Sequence, residues 1–309
     1  MPQASPTVSI ITLTWNSYEV TLECLLTLRK LDYPNFEVIV VDNGSTDGSQ
    51  EQLAREFPDV QLICNPTNLG FAGGNNVAIR DALARNPAYL LLLNNDTIVA
   101  PNFLSEMIRA AETDPAIGLA NPKILYHEPA DRIWYAGGSY KRGWSFAKHF
   151  GVNRTDNGKY NQACEVSFAT GCALLVKTEI VRKIGLLDES FFLGFEDLDW
   201  CVRAQDAGFK AIYVPSAVVW HRTGWVTRKN LGKPLRDFYY VKNSVLLARK
   251  HLEARHWPFY ALSLTGFLAY RTAGYLVRLE PKRVAAMYRG LWSGWATKMG
   301  NENGQGGTP

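Results

Sequence analysis

The sequence predicts an α/β fold in which helices flank a Rossmann-like, mostly parallel sheet, with a C-terminal helical appendage. The sheet is predicted because short apolar, β-rich runs alternate with helical patterns through the first part of the chain. Four such runs are VSIITLT from Val8, FEVIVVD from Phe36, VQLIC from Val60 and YLLLL from Tyr89. The appendage is predicted because Lys and Arg, interleaved with aromatic residues and leucine, accumulate after Arg222.

The apolar spacing predicts the elements between and after these runs. An amphipathic helix follows the first run after a cap at Asn16 or Ser17, since apolar residues recur at helical spacing at Val20, Cys24, Leu25, Leu28 and Leu31. Residues 127–164 show no clear helical pattern, so we expect them to form a long excursion or a hairpin. Order returns with FATGCALLVK, a helix from Thr178 to Ile184, and the strand AIYVPSAVVWH.

The length of 309 residues and the hydrophobic content of 47% suit one large α/β domain with an appendage, or two modest domains. We expect a first domain over 1–225, a helical region over 226–299 and a disordered, glycine-rich tail over 300–309. The formal charge of +4 is too small for a protein that binds duplexes, so we expect no nucleic-acid partner.

The cysteines and the first residues indicate the compartment. The five cysteines are odd in number and fall mostly inside apolar runs, so we expect buried free thiols in a reducing compartment. They are Cys24, Cys64, Cys164, Cys172 and Cys201. The apolar stretch from Val8 has no basic segment before it and turns polar at Asn16, unlike a secretory signal peptide. We therefore expect a cytoplasmic catalytic part.

Polar residues follow the predicted strands. Ligands bind beyond the carboxyl ends of strands in open α/β sheets, where buried parallel strands place their polar residues. The first run is followed by Thr14-Trp15-Asn16, the second by DNGSTDG and the fourth by NNDT. The third leads into NPTNLGFAGGNN, a turn whose glycines allow close backbone approach to a ligand.

The strings VSIITLTWN, VDNGSTDGS, NLGFAGGNN, LLLLNNDT and FFLGFEDLDWCVRA occur here in an order and spacing that resembles family-two glycosyltransferases of the GT-A fold. Within that family the chain is most similar to bacterial rhamnosyltransferase-type members, over about the first 225 residues. The resemblance implies inverting transfer of a sugar from a nucleotide-sugar donor, of the dTDP-rhamnose or UDP-hexose type, to an acceptor hydroxyl. The Gln-x-x-Arg-Trp motif of processive synthases does not follow Asp199, so we expect addition of one or a few sugars.

The resemblance implies donor contacts at the ends of the first four strands. Asp42 and Thr12 would lie beside the nucleobase and ribose, where a carboxylate accepts hydrogen bonds from a ring N–H or a sugar hydroxyl. Asn68 and Gly70 would lie nearest the nucleotide in the glycine-rich turn. The expected donor-binding residues are Thr12, Trp15, Asp42, Asn43, Ser45, Asn68, Gly70, Asn75, Asn95 and Asp96. Alternatively, Asp42 caps the next helix and the glycines serve only a tight strand-to-helix turn.

The segment Asn94-Asn95-Asp96 occupies the place of the family's Asp-x-Asp signature, in which a carboxylate meets a divalent ion that bridges the sugar diphosphate. Mg²⁺ or Mn²⁺ would neutralise charge on the leaving diphosphate. Because only Asp96 carries a full charge, we expect low metal affinity or an ion held largely by the substrate's phosphates. His221 could complete this site, with Arg222 as a phosphate contact; alternatively, His221 is structural and Asp96 caps the region of Pro101.

The acidic string Glu196, Asp197 and Asp199 follows an aromatic run and precedes a predicted helix. One of these carboxylates could remove the proton of the acceptor hydroxyl as a general base, or the acids could merely favour the helix dipole. Similarity to the family's Glu-Asp pair selects Asp197 as the base and Glu196 as an acceptor contact, and leaves Asp199 structural. Thr170 and Gly171 are further candidates for binding the acceptor.

The stretch PFYALSLTGFLAYRTAGYLVRL from Pro258 has about the length of a membrane span, but Arg271 interrupts it. With VAAMYRGLWSGWATK, it predicts interfacial helices in peripheral contact with an anionic membrane. The acceptor would then be a lipid-linked glycan at the inner face of the cell membrane, in cell-surface polysaccharide assembly. The alternative is a helical lid or the pairing surface of a homodimer.

Two other whole-protein functions remain open from the residues alone. A nucleotidyltransferase could use the same βαβ nucleotide site, although TWNSYE lacks the basic, glycine-rich signature expected after the first strand. A non-catalytic nucleotide- or glycan-binding protein would fit the amides at Asn94 and Asn95. Since a fold alone does not determine function, the transferase interpretation depends on the acidic string.

Overall fold

The computed structural model of the chain describes residues 5–224 and 232–297. It divides into two compact units, one of residues 1–141 and 146–232 and one of residues 142–145 and 233–309. The predicted boundary between 225 and 226 and the predicted tail over 300–309 lie outside the described residues.

The described part of the first unit contains one large mixed sheet, a small hairpin and flanking helices. The strands are β1 (Val8–Thr14), β2 (Phe36–Asp42), β3 (Gln61–Cys64), β4 (Tyr89–Asn94), β5 (Thr97–Val99), β6 (Ile117–Tyr126), β7 (Ile133–Tyr135), β8 (Gly138–Ser139), β9 (Lys148–His149), β10 (Cys164–Val166), β11 (Ala173–Lys177) and β12 (Lys210–His221). The helices are α1 (Tyr18–Leu28), α2 (Ser49–Glu56), α3 (Gly70–Arg85), α4 (Phe103–Ala111), α5 (Thr178–Ile184) and α6 (Glu196–Asp206).

The large sheet has the order β10-β12-β6-β11-β4-β1-β2-β3, with β5 paired to β12 and β7 paired to β6. The predicted parallel part is confirmed, since β1 pairs in parallel with β2 and β4. Val8 lies opposite both Phe36 and Tyr89, and Thr14 lies opposite Asp42. These strands therefore end together, and their polar residues share one edge of the sheet.

The second half of the sheet adds antiparallel pairing. Strand β11 is antiparallel to both β4 and β6, while β12 is parallel to β6. The backbone amide of Asn94 donates a hydrogen bond of 2.8 Å to the backbone carbonyl of Cys172, just before β11. Because β11 runs against β4, its start lies at the same edge as the end of β4, which brings residues 170–172 to the predicted ligand site.

The predicted local elements mostly match the structure. Helix α5 has the predicted bounds, and α1 follows Ser17 as expected but ends at Leu28, before the predicted apolar position Leu31. Residues 127–164 form an excursion of short strands, including the β8–β9 hairpin, as predicted.

The expectation that all five cysteines are buried is wrong for two of them. All five are free thiols; Cys24, Cys172 and Cys201 are buried, whereas Cys64 and Cys164 are exposed. Cys64 ends β3 and Cys164 begins β10, and these are the two edge strands of the sheet. An edge strand pairs with a neighbouring strand on one side only, and its other side is open. The local apolar pattern does not reveal which strands lie at an edge.

The second unit consists of α7 (Gly232–His251), α8 (Trp257–Val277) and α9 (Pro281–Ala296), with a short 3₁₀ turn over Ala254–His256. Its core is a cluster of buried side chains, among them Val241, Val245, Tyr260, Leu264, Leu268, Tyr275 and Met287. Arg271 does not simply interrupt an apolar helix. Its guanidinium pairs with the buried Asp237 of α7, with Nη2 3.1 Å from Oδ1. No helix among the described residues has the length and apolar character needed to cross a membrane.

Two glycines of the β2–α2 turn give a matched test of its packing. Gly44 and Gly48 have φ angles of 79° and 80°. A Cβ at Gly44 would lie 2.7 Å from the backbone of Thr67, whereas one at Gly48 would meet only the end of Gln52, at 3.7 Å.

We expect Gly48→Ala to cost about 1–2 kcal/mol of unfolding free energy, the ordinary penalty for a left-handed residue. Gly44→Ala should cost roughly 1–3 kcal/mol more through overpacking. Urea titration measures both, and equal losses would contradict the close approach.

Candidate active site

Hydrogen bonds join the loops that follow β1 and β2. The amide of Asn16 donates to Ser45 Oγ at 2.8 Å, and the amide of Thr46 donates to Asn16 Oδ1 at the same distance. Asn16 adopts a positive φ of 48°, a conformation that asparagine tolerates better than most residues. Trp15 and Ser45, two predicted donor contacts, are thereby brought to neighbouring loops and are both half-buried.

Asn43 joins the β2–α2 loop to the β3–α3 loop. Its Oδ1 accepts hydrogen bonds from Asn65 Nδ2 and the Leu69 amide, and its Nδ2 donates to Asn68 Oδ1 and the Gly70 carbonyl, all within 2.9–3.1 Å. Four bonds use the full capacity of an amide side chain. Asn43 was predicted to contact the donor; in the structure it instead positions Asn68 and Gly70.

Asp42 is buried, and one of its carboxylate oxygens has no hydrogen bond. Oδ1 accepts hydrogen bonds from the Ser45 amide and Gln50 Nε2, both at 2.8 Å, while the buried Oδ2 has no partner among the described residues. Asp42 is not the cap of α2, because Asp47 accepts the amide of Ser49 at the start of that helix. Asp42 therefore retains an acceptor at the predicted nucleotide site.

Thr12 does not reach the ligand edge. Its side chain is completely buried in β1, and its hydroxyl has no hydrogen-bond partner in the described part of the chain. Consecutive strand residues point to opposite faces. Leu13 and Asn94 are direct neighbours across β1 and β4, and both are half-buried. The prediction chose the wrong residue of this strand, because the sequence did not show which face is open.

Two other predicted donor contacts have their side-chain amides bound within the protein. Asn75 is buried in α3, where its Nδ2 donates to the Phe71 carbonyl at 2.8 Å. Asn95 is also buried, and its Nδ2 donates to the hydroxyls of Ser17 and Thr21 at 2.8 Å. Asn95 therefore anchors the β4–β5 turn to α1.

Asn94, which the sequence analysis did not select, has an open side chain at the end of β4. Its side chain is half-buried and makes no hydrogen bond within the described part of the chain. Its neighbour Leu13 lies against α3, where a Cβ at Gly74 would be 2.5 Å from Leu13 Cδ1. The signal that could have found Asn94 is the alternation of β4, which places it on the face opposite Asn95.

The structure brings together the two predicted metal ligands. His221 Nε2 lies 3.0 Å from Asp96 Oδ1, and both side chains are buried. The pairing of His221 with Thr97 across β12 and β5, and a 2.9 Å bond from the Arg222 amide to the Asp96 carbonyl, fix this contact. Asp96 does not cap the following helix, since α4 begins at Phe103 after Asn102.

The Asp96–His221 pair fits a divalent cation. The 3.0 Å separation is that of a hydrogen bond between the two side chains, and imidazole nitrogen and carboxylate oxygen are both groups that bind divalent cations. No group of three or more His, Cys, Asp or Glu side chains among the described residues could hold a metal. The described part of the chain therefore brings the two predicted ligands together without a third such side chain.

Cys172 and Trp134 enclose His221. The ring of Trp134 meets the imidazole edge-on, with centroids 4.8 Å apart. Burial lowers the pKa of His221, but the Asp96 carboxylate 3.0 Å away opposes this and favours the protonated imidazole, so a cation at this site would have to displace that proton. Burial also raises the pKa of the Cys172 thiol. Cys172 is a site neighbour that sequence reasoning missed. Arg222, the predicted phosphate contact, forms an ion pair with Glu23 on α1, with 2.6 Å between Nη2 and Oε2.

The predicted base lies at the start of α6. Gly194 and Phe195 precede it with φ angles of 80° and 76°, and a left-handed phenylalanine costs about 1–2 kcal/mol. The turn places the Asp197 carboxylate between two backbone donors. Oδ2 accepts the Gly171 amide and Oδ1 accepts the Leu198 amide, both at 2.8 Å.

The predicted acceptor residues lie on a well-fixed segment beside Asp197. The Thr170 carbonyl accepts a 3.0 Å bond from Asn121 Nδ2, and the Ala169 amide bonds to Cys201 Sγ at 3.3 Å. A Cβ at Gly171 would lie 3.3 Å from Asp197 Cβ. Glycine here therefore permits the backbone to approach the carboxylate, while Thr170 is buried behind it.

The two adjacent carboxyls have different surroundings. Burial, followed by the charge of Asp197, holds the pKa of Glu196 well above its ordinary value, and its buried Oε2 has no partner among the described residues. Burial also raises the pKa of Asp197, but the Gly171 and Leu198 amides oppose that rise. We therefore expect Glu196 to hold its proton to higher pH than Asp197 does. Asp199 is structural, as predicted, since it pairs with Arg203 at 2.8 Å.

The model of the family described as glycosyl transferase family 2 matches residues 9–185, more than half of the chain. A dTDP-rhamnosyl transferase of Shigella flexneri is 25% identical over 247 residues, which cover 78% of this chain and 79% of that protein. An N-acetylglucosaminyl-diphospho-decaprenol L-rhamnosyltransferase of Mycobacterium tuberculosis is 26% identical over 233 residues, or 69% of this chain and 75% of the relative. An uncharacterized protein of Sinorhizobium fredii is 29% identical over 71% of this chain, which spans only 25% of that longer protein.

A solved mannosyltransferase of Pyrobaculum calidifontis, in complex with GDP-mannose and Mn²⁺, has the same fold. The TM-score is 0.57 at 18% sequence identity, and the match covers 96% of this chain and 87% of that one. The predicted GT-A fold is confirmed.

The raised pKa of Glu196 gives a pH-dependent stability difference. An unfolded glutamate titrates at about 4.3, so between that pH and the raised folded pKa the wild type must take up a proton when it folds, or bury a charge. The free energy of unfolding should therefore fall with pH by up to about 1.4 kcal/mol per pH unit, relative to Glu196→Gln. Thermal unfolding of both proteins from pH 4 to pH 8 measures this difference. Parallel profiles over that range would show that Glu196 is not held in its neutral form.

Proposed function

This chain belongs to glycosyl transferase family 2, and on that premise we propose that it is an inverting, non-processive hexosyltransferase-type enzyme. It moves a single sugar from a nucleotide-sugar donor to an acceptor hydroxyl. The observation that carries the proposal is the Asp197 carboxyl group at the start of α6, held by the backbone amides of Gly171 and Leu198.

The proposed reaction uses Asp197 as the general base. As the acceptor oxygen attacks the anomeric carbon, its proton passes to Asp197, and the bond from that carbon to the diphosphate oxygen breaks. Each carboxylate oxygen of Asp197 already accepts one backbone hydrogen bond and has a second lone pair for the acceptor hydroxyl. A single displacement inverts the anomeric centre, and Glu196 lies beside the base as an acceptor contact.

The donor is proposed to be dTDP-rhamnose or a UDP-hexose. The free carboxylate oxygen of Asp42 and the open amide of Asn94 supply polar contacts at the ends of β2 and β4. Asn68, Gly70, Trp15 and Ser45 complete the surrounding loops. The Shigella flexneri relative, named as a dTDP-rhamnosyl transferase, favours dTDP-rhamnose.

The proposed cofactor is Mg²⁺ or Mn²⁺, held by Asp96 and His221. A bound divalent ion would stabilise the negative charge that develops on the nucleoside diphosphate. With two protein ligands, the site depends on diphosphate oxygens to complete the coordination, which agrees with the single carboxylate of the Asn94-Asn95-Asp96 turn. The protein's own contribution is to hold these two ligands 3.0 Å apart.

The acceptor is proposed to be a lipid-linked glycan in cell-surface polysaccharide assembly. The relative from Mycobacterium tuberculosis is named for a diphospho-decaprenol acceptor, which supports this class. We place the enzyme in the cytoplasm, peripheral on the inner face of the cell membrane. The alternative role of the helical unit is to pair two copies of the chain in a homodimer.

The test of the base is Asp197→Asn with Glu196→Gln as the matched control. Asparagine keeps the size of the side chain but cannot accept the proton, so we expect kcat for sugar transfer to fall by about 10²–10⁴. Glutamine imitates the neutral Glu196, so we expect that variant to keep most of its activity. Nucleoside diphosphate affinity, measured by calorimetry, should be unchanged in both. Wild-type turnover in Asp197→Asn would exclude Asp197 as the base.

The cation site predicts a linkage between metal and nucleotide. dTDP or UDP should raise the melting temperature more with Mn²⁺ or Mg²⁺ than with a chelator, because the diphosphate completes the coordination. Asp96→Asn should lose this metal-dependent increment, whereas Asp59→Asn, on an exposed surface carboxylate, should keep it. If activity and the nucleotide-induced rise in melting temperature are the same in excess chelator as with added metal, the divalent ion has no role here.

A further inference from the structure

Helix α8 exposes one face that carries no charge. The helix has 21 residues and is roughly 30 Å long. Its only charged side chain is Arg271, which pairs with Asp237 within the helical unit. Large apolar and aromatic side chains are open to solvent along it: Phe259 is 67% exposed, Leu262 75%, Tyr270 79% and Val277 85%. Single exposed hydrophobic residues are ordinary, but a row along a whole helix indicates an interaction surface.

The apolar row continues into the turn after α8. Leu276 is 55% exposed and Leu279 is 87% exposed, and Leu279 adopts a positive φ of 54°. On α9, Trp292 is 75% exposed and Tyr288 46%. Tryptophan and tyrosine favour the headgroup region of a bilayer, where the ring is partly in contact with hydrocarbon and its polar atom with water.

The surrounding charge is strongly positive. Residues 233–297 contain eleven Lys and Arg against three Asp and Glu, a net formal charge of +8. Arg278, Lys282 and Arg289 are exposed in and after the α8–α9 turn. The carboxylate of Asp237 is buried and paired with arginines, so it does not reduce the positive charge of the surface.

We propose that the charge-free face of α8, with the turn at Leu276–Leu279, docks on an anionic lipid bilayer. This inference deepens the proposed transfer to a lipid-linked acceptor and rests on it for its biological purpose. The apolar side chains would enter the boundary between headgroups and acyl chains while the helix lies in the membrane plane. A second copy of this chain is the less favourable occupant, because it would bring two units of charge +8 together, whereas anionic lipid neutralises each one.

The test is sedimentation of the full-length protein with vesicles. Wild-type protein should bind vesicles of phosphatidylcholine and phosphatidylglycerol in a 3:1 ratio at least tenfold more strongly than vesicles of phosphatidylcholine alone, and high salt should weaken the binding. Leu262→Glu combined with Val277→Glu should reduce binding to the mixed vesicles by tenfold or more. Arg278→Gln with Lys282→Gln should reduce it by about fivefold per removed charge.

The control is Val152→Glu, a charge placed on an exposed apolar side chain of the catalytic unit, which should leave vesicle binding unchanged. All substituted positions are exposed, and far-UV circular dichroism with thermal unfolding checks the fold of each variant. Equal binding to neutral and anionic vesicles would overturn the proposal. So would a dimer in analytical ultracentrifugation that the Leu262→Glu, Val277→Glu variant abolishes, if wild-type protein does not bind vesicles.

Transfer to a water-soluble acceptor separates this proposal from the proposed reaction. The surface variants should keep that activity, since none of their residues belongs to the catalytic site. Loss of vesicle binding with unchanged transfer supports the docking surface. If the wild type binds anionic vesicles but transfers no sugar, the result contradicts the proposed reaction and supports the proposed docking surface.

Discussion

The hydrogen bond from the backbone amide of Asn94 to the backbone carbonyl of Cys172 joins the two halves of the catalytic unit, and the geometry of the site depends on it. On one side of the bond are the parallel strands β1, β2 and β4, whose polar ends form the nucleotide side. On the other is the segment before β11, whose Gly171 amide holds Asp197. Because β11 runs against β4, residues about 100 positions apart in sequence meet at one edge of the sheet. The β4–β11 register therefore places the segment that holds the proposed base beside the end of β4, and the β5–β12 register places the proposed cation ligands.

Charge at this edge is organised by burial. Two backbone amides donate to the Asp197 carboxyl group, and the His221 imidazole lies 3.0 Å from Asp96 Oδ1. Glu196 Oε2 has no hydrogen-bond partner among the described residues, and burial holds the pKa of that carboxyl group well above its ordinary value. A low-dielectric site can hold several acids only if their charges are separated or neutralised in this way. The arrangement assigns different roles to neighbouring carboxyls without a difference in their chemistry.

Most of the predicted donor contacts lie in the loops at the ends of the first four strands, and several have their side chains bound within the protein. Asn43, Asn75 and Asn95 are asparagines near the ligand edge, and the structure uses their amides to bind one loop or helix to another. Thr12 is buried, while Asn94, which was not selected, has an open amide. An asparagine that binds a ligand and one that fastens a loop look the same in sequence. The difference depends on which backbone groups approach each amide, and those groups come from distant segments.

The sequence by itself determined the alternation of strands and helices, the GT-A family pattern and the position of the acidic string. These are local or ordered features: apolar periodicity, turn residues and spacing along the chain. It also indicated the amphipathic helices after residue 257, because aromatic and basic residues recur there. Only the tertiary structure decided how the surroundings of Glu196 and Asp197 differ, because burial and amide donors arise from folding. Likewise, only the folded helices showed that Arg271 turns inward to Asp237 and leaves the exposed face of α8 without charge. The physical reason is the same throughout: solvation and hydrogen-bond partners belong to the assembled fold, not to the residue.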